Sequence, residues 1–286
     1  VKVAIIGTGA MGRWLVDFAK QNLGEVVLAD AIAAKAERVA TEFGVNFRSV
    51  PEAAAEAELV LVAVPISKTP DVIKSLAGQV QRGTLLADVS SVKSDVIEAM
   101  QTIEAKIELV SLHPLFGPGA TSVKGKDFVA IPVKPGKRYA ALKNRLLELG
   151  ARVTEMGAED HDRLMAIIQC MTHFVLLTYL NALTSMKELK RAEKFRTPMF
   201  ATLLDLAKTV FAGNLELYGE LQVHNKYARV VRSSLLEACR SLDVAFSAGD
   251  VKSLNASFKE ALAPWKSAEV KNAYKRMYEL FEEGKT

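Results

Sequence analysis

The sequence predicts an α/β chain in two parts, a doubly wound domain over residues 1–157 and an all-helical domain over residues 158–286. Three observations carry that prediction. Short β-branched runs alternate with Ala-, Lys- and Glu-rich segments through the first half. A glycine-rich turn joins the first run to the first helical segment. Beyond about Ala158 no β-rich run bounded by turn residues recurs. Strand-helix alternation with near-continuous apolar strands implies a parallel sheet covered by helices on both faces.

Residues 3–6 (Val-Ala-Ile-Ile) open the sheet, and further strands are expected at 26–29, 59–63, 85–87, 108–111 and 128–131. A last strand is expected at 152–154, after a helix over 139–149. Helical period marks 33–43 and 92–103 between the earlier strands. The second half reads as helices over 161–190, 198–212, 215–246 and 251–262, where Leu, Ala, Met, Lys and Glu recur at helical spacing. Glu159 or Asp160 before the first of these, and Gly249-Asp250 before the last, are start signals. So apolar a helical half is expected to bury surface against a second copy of the chain, as a homodimer.

Half of the 286 residues are hydrophobic and 24% are charged, which excludes a disordered tail, a collagen-like repeat and a disulfide-stapled miniprotein. Lys+Arg 37 against Asp+Glu 33 leaves only +4, with the basic residues scattered. A duplex-binding surface concentrates its charge, so no nucleic-acid partner is expected. The longest apolar stretch, from Leu59 to Ile66, falls far short of the roughly twenty residues that span a bilayer, so no membrane partner is expected. No secretory signal is read around Lys2. Cys170 and Cys239 lie in helical stretches without metal-ligand spacing, which points to reduced thiols, no metal site and a cytoplasmic protein.

The turn that follows the first strand reads Gly7-Thr8-Gly9-Ala10-Met11-Gly12. Gly7 suits a tight turn, Gly9 a close approach of a pyrophosphate to the backbone, and Gly12 a helix packed on its strand. The helix N-terminus beyond it favours an anion. Asp30, eighteen residues past Gly12, ends the next strand where a carboxylate bonds both ribose hydroxyls of NAD and repels a 2′-phosphate. The first domain is therefore expected to be Rossmann-like with NAD as cofactor, Lys35 softening the preference over NADP. Val64 and Pro65 end the strand that begins at Leu59, at the expected switch point of the sheet.

Two further strand ends carry polar side chains, in 88–93 (Asp-Val-Ser-Ser-Val-Lys) and 113–118 (His-Pro-Leu-Phe-Gly-Pro). Ligands bind at the carboxyl ends of strands in such sheets. There His113 is placed to take a proton from a hydroxyl as hydride leaves, with Ser91 orienting it or the substrate oxygen. The residues alone leave open a helix-capping Ser and a structural His.

These two segments and the glycine turn, with Glu159-Asp160-His161-Asp162 and 169–174 (Gln-Cys-Met-Thr-His-Phe), resemble the prephenate dehydrogenase family. Order and spacing match over nearly the whole chain, more loosely in 197–200 and 211–218. The resemblance implies NAD-dependent oxidative decarboxylation of prephenate to 4-hydroxyphenylpyruvate in tyrosine biosynthesis, or the corresponding reaction of arogenate. It implies that His113 takes the ring-hydroxyl proton, that Ser91 contacts His113 and the substrate, and that His173 lies near the substrate. Pro114 joins the glycine turn, Val64 and Pro65 as a cofactor-facing position. Where the family carries an Arg for a substrate carboxylate this sequence has Thr209, so Lys208 or Arg196 is expected to take that role, with Arg229, Arg232 or a different substrate as alternatives. His161, in an acidic first turn and twelve residues before His173, reads as structural, and His224 as polar lining. A β-hydroxyacid dehydrogenase is disfavoured because residues 171–181 lack the Lys its chemistry uses. A non-catalytic NAD-binding protein is opposed by Ser91 and His113.

Overall fold

The computed structural model describes residues 1–212, 215–249 and 251–283. Gly213 and Asn214 of the 211–218 segment, and Asp250 of the 249–250 start signal, lie outside the described residues. The chain forms two compact units, one of residues 1–166 with 219–226 and one of residues 167–218 with 227–286.

The first unit is built on an eight-stranded sheet in the order β3-β2-β1-β4-β5-β6-β7-β8. Its strands are β1 (Lys2–Ile6), β2 (Glu25–Ala29), β3 (Asn46–Phe47), β4 (Leu59–Val62), β5 (Leu85–Asp88), β6 (Glu108–Pro114), β7 (Asp127–Lys134) and β8 (Arg152–Glu155). Helices α1 (Ala10–Asn22), α2 (Ala33–Phe43), α3 (Val50–Glu56), α4 (Thr69–Ala77), α5 (Ser94–Gln101) and α6 (Lys137–Glu148) connect them. Alternation along each strand feeds two cores. Val3 and Ile5 of β1 share one with Leu15 and Val16 of α1 and Leu142 of α6. Ala4 and Ile6 share the other with Ile73 of α4 and Met100 of α5. Each such large aliphatic side chain contributes about 1.5–3 kcal/mol when removed from water.

All strand pairs are parallel except β6 with β7. The expected parallel sheet is found except at this pair, and the exception has a topological reason. Residues 115–126 hold no helix to carry the chain back across the sheet, so β7 returns antiparallel. β3 and α3 also go beyond the expected elements. Gly44 (φ 62°) ends α2 in the left-handed region, and Ser49 with Glu52 forms a capping box that starts α3.

The first unit extends past the expected limit at residue 157. Helix α7 (Ala158–Met165) belongs to it because His161 and Asp162 are fully buried there. So does the stretch 219–226, the end of α11 (Leu215–His224) and the two residues after it, where Asn225 Nδ2 donates to the Asp162 carbonyl at 2.8 Å.

Among the described residues the second unit is helical throughout. Helices α8 (Thr172–Ser185), α9 (Leu189–Ala192) and α10 (Pro198–Ala212) come first, then α12 (Ala228–Ala248), α13 (Val251–Leu262) and α14 (Ser267–Glu283). Leu176 and Leu180 of α8 share a core with Leu204, Ala207 and Val210 of α10. A π-helical segment, Ala166–Met171, separates α7 from α8, and the helix is otherwise unbroken over Ala158–Ser185. Its most apolar eighteen-residue stretch has mean hydropathy 1.5 and is 22% buried, so by length and composition alone the helix is apolar enough to cross a bilayer. Contiguous apolar runs missed this, because scattered polar residues interrupt the segment.

Candidate active site

The sheet order reverses between β1 and β4, and the crevice outside their carboxyl ends is where an open α/β sheet takes ligands. Gly7 sits there at φ 110°, and a Cβ on it would lie 2.3 Å from the Ala63 carbonyl oxygen. A Cβ on Gly12 would lie 2.0 Å from the Gly7 oxygen, whereas one on Gly9 would meet nothing within 4 Å. Thr8 follows Gly7 in the turn, Gly9 is the N-cap of α1, and Ala10, Met11 and Gly12 form the helix's first turn without an acidic residue. Its N–H groups and dipole are thus unopposed, beside a backbone that an anion can approach.

Asp30 follows β2. Its Oδ2 accepts from Thr8 N–H (2.9 Å) and the Thr8 hydroxyl (2.7 Å), and its Oδ1 from Ile32 N–H (2.9 Å). Burial pushes the Asp30 pKa up, but the Ile32 and Thr8 hydrogen bonds and nearby Lys35 outweigh it and bring the value below normal. A fixed negative charge therefore stands at the end of β2, with lone-pair capacity remaining on Oδ1. An open pyrophosphate approach, an uncapped helix and this carboxylate fit a nicotinamide dinucleotide.

Val64 and Pro65 lie just beyond β4, and the turn after them is clamped by a residue the sequence did not mark. Glu220 Oε2 accepts from Ile66 N–H (2.8 Å), and Oε1 from Ser67 N–H (3.2 Å) and hydroxyl (2.5 Å). No local pattern signals Glu220, since 153 residues separate it from Ser67.

At the end of β6, His113 is buried, followed by Pro114. Ser91 lies half-buried in the loop between β5 and α5. That loop delivers Lys93, fully buried, whose Nζ donates to Asp88 Oδ1 (3.0 Å) and the Leu112 carbonyl (2.7 Å). Asp162 reaches the start of α5 from α7. It accepts Lys93 N–H (2.9 Å), Ser94 N–H (2.8 Å) and the Ser94 hydroxyl (2.6 Å), satisfying the first orphan donors of α5.

His161, expected to be structural, stands directly against His113. Its Nε2 lies 2.8 Å from His113 Nδ1, and its Nδ1 lies 2.8 Å from Asp162 Oδ1. The twelve-residue spacing to His173 says nothing about His113, forty-eight residues earlier on a different element. Burial, then Lys93 and His161, holds the His113 pKa well below its ordinary value. Burial also lowers His161, against the opposing pull of Asp162.

In the second unit, His173 stands on α8 with its ring edge-on to Tyr218, centroids 4.7 Å apart. Its Nδ1 is buried without a hydrogen-bond partner, and burial lowers its pKa. Lys208 is paired with Glu193 (3.1 Å) and Asp205 (3.7 Å), and Arg196 with Asp205 (2.9 Å). The expectation that these cations stand ready for a substrate carboxylate thus meets local ion pairs that must open first. The Thr209 hydroxyl donates to the Leu206 carbonyl of its own helix (2.6 Å). Among the described residues no three His, Cys, Asp or Glu side chains group as metal ligands.

Two family models match. Residues 18–155 match the nucleotide-binding domain of prephenate dehydrogenase, and residues 157–260 its dimerization domain. A probable arogenate/prephenate dehydrogenase of Methanocaldococcus jannaschii is 28% identical over 279 residues, 95% of this chain. The chain spans 63% of that relative's length. A 4-amino-4-deoxyprephenate dehydrogenase of Streptomyces pristinaespiralis is 30% identical over 90% of this chain and 88% of its own. Among solved structures, prephenate dehydrogenase from A. aeolicus, in complex with hydroxyphenyl propionate and NAD+, superposes with TM-score 0.73 at 17% identity. It covers 92% of this chain and 96% of its own, a likeness of fold.

Proposed function

The chain belongs to the prephenate dehydrogenase family, and on that footing we propose that it carries out the NAD-dependent oxidative decarboxylation of prephenate to 4-hydroxyphenylpyruvate, a step of tyrosine biosynthesis. The observation that carries the reading is His113. It lies at the carboxyl edge of the sheet that also bears Gly7 and Pro65, and its depressed pKa keeps the ring neutral and able to accept a proton at neutral pH. NAD, when bound, accepts the hydride. The glycine turn and the N-terminus of α1 would hold the pyrophosphate and Asp30 the ribose, its charge favouring NAD over NADP. His113 holds the ring-hydroxyl proton while the substrate carboxylate leaves as carbon dioxide and its bonding pair completes the aromatic ring. The proton is back on the phenol oxygen in the product, so none is released. Aromatisation drives the step, and the protein's share is placement and one polarised O–H bond. Ser91 orients the hydroxyl.

Arogenate is the second reading. The Methanocaldococcus jannaschii relative bears both arogenate and prephenate in its name, which supports that reading. The 4-amino-4-deoxyprephenate dehydrogenase among the relatives makes its substrate a third arm of the assay. We also place the active form as a homodimer in the cytoplasm. Val175, Met199 and Leu206 of the second unit are exposed large apolar side chains, which a partner copy would cover.

The test is NADH formation by the purified protein with each of the three substrates, NAD and NADP, alongside His113→Asn. Turnover of prephenate that collapses in His113→Asn supports the reading. Absence of turnover with all three, in protein that binds NAD, refutes it.

A further inference from the structure

The short contacts around His113 run in a chain whose polarity is set at one end. Asp162 is an acceptor with three fixed donors on its oxygens, two of them backbone N–H groups that cannot reverse. A carboxylate has no proton to give, so its 2.8 Å contact with His161 Nδ1 requires that Nδ1 carry the hydrogen. A neutral imidazole has one N–H, which leaves His161 Nε2 as an acceptor. Its partner at 2.8 Å, His113 Nδ1, must then be the donor. The neutral His113 ring consequently has its lone pair on Nε2, and whatever meets Nε2 must donate to it.

We propose that His161 and Asp162 are positioning residues that hold His113 in the Nδ1–H tautomer, with Nε2 as the proton-accepting nitrogen, and that take up the positive charge when Nε2 is protonated. This deepens the proposed reaction and rests on it. The protons balance. The substrate hydroxyl gives its proton to His113 Nε2, the Nδ1 proton of His113 passes to His161 Nε2, and His161 becomes an imidazolium against Asp162. The transfers reverse as the phenol forms. The groups facing the pair come from three places: Asp88 on β5, Lys93 in the loop before α5, and Asp162 on α7. Lys93 and Asp88 form one ion pair of zero net charge wherever their proton lies. Asp162 is therefore the uncompensated carboxylate, and a proton on the histidine pair brings the cluster to neutrality. Asp162 thus stands where the acidic member of a Ser-His-Asp triad stands, with a second imidazole, His161, interposed.

The chain has four histidines, His113, His161, His173 and His224, so the imidazole 15N spectrum of histidine-labelled protein resolves into four rings. Single His→Gln variants assign it. The expected result at neutral pH is Nδ1–H on both His113 and His161. A proton on His113 Nε2 with its lone pair on Nδ1 overturns the proposal, whatever the activity. In kinetics, His161→Asn, checked for folding by its melting temperature, should lower kcat by roughly 10²-fold with KM within a few-fold. It should also shift the acidic limb of the kcat profile. An unchanged kcat and pH profile overturns the relay. Wild-type protein that turns over no substrate yet shows the Nδ1–H pair refutes the reaction and leaves the tautomer assignment standing.

Discussion

The three glycines of the first turn are predicted to fail in different ways when given a methyl group. Gly12→Ala drives a Cβ to 2.0 Å from the Gly7 carbonyl oxygen and 2.9 Å from its carbon, both backbone atoms of the β1 exit. Relief requires α1 to retreat from β1 by roughly 1 Å, and overpacking of that kind costs about 1–3 kcal/mol. The displaced face carries Leu15, Val16 and Ala19, all buried, so the upper half of that range is the expected value. Gly9→Ala meets nothing within 4 Å. Its folding cost is that of an N-cap Gly replaced by Ala, about 1 kcal/mol or less. Its methyl nevertheless stands where the pyrophosphate approaches, so NAD affinity should fall at least tenfold while the fold stays intact.

Urea unfolding gives the two stabilities, and quenching of Trp14, which sits on α1, reports NAD binding. Gly12→Ala should unfold at clearly lower urea, and Gly9→Ala near the wild-type midpoint with weak binding. If Gly9→Ala binds NAD as the wild type does, the dinucleotide does not cross that backbone and the reasoning about this turn is wrong.

Asp30→Ala removes the charge that opposes a 2′-phosphate together with the Thr8 hydrogen bonds, and should move the NADP-to-NAD preference by about tenfold or more toward NADP, measured as the ratio of kcat/KM. Lys93→Met leaves Asp88 buried without its counter-ion and should cost about 3–5 kcal/mol in unfolding experiments, much of it regained in Lys93→Met/Asp88→Leu. Burial depresses His113, His161 and His173 in the folded chain, and unfolding returns each to about 6.5. Between the folded and unfolded values the unfolded chain binds more protons, so stability should fall as pH drops below about 6.5. Equal urea midpoints at about pH 7.5 and 5.5 would contradict that burial.

Most of the sheet was legible because its strands are contiguous apolar runs and several crossover helices have their own period. β3 escaped because two residues make no run, although the Ser49-Val50-Pro51-Glu52 capping signature of α3 was available beside it. The direction of β7 was written in the absence of a helical segment between 115 and 126, a signal that strand counting ignores. Asp30 and the glycine turn were legible because their partners are local. The roles of Glu220 and His161 depend on contacts across 154 and 48 residues, and no local pattern encodes contacts of that separation. For His161 the acidic neighbours even offered a sufficient local reason, helix-start electrostatics, which concealed the long-range one.

Asp162 shows why the local reason was incomplete. It does not serve the N-terminus of its own helix alone, because its two oxygens cap α5 on another part of the sheet. That cap anchors α7 to the start of α5 and at the same time fixes the acceptor that orients His161. Fold and chemistry are therefore coupled through one carboxylate. Any substitution there must loosen the start of α5, which follows directly from the loop bearing Ser91 and Lys93, as well as release the imidazole pair. His161 has no such second role, since its side chain bonds only within the array among the contacts described. A change at His161 should thus separate catalysis from folding, and a change at Asp162 should not. The ratio of lost activity to lost stability at the two positions measures how much of this cluster exists for the chemistry.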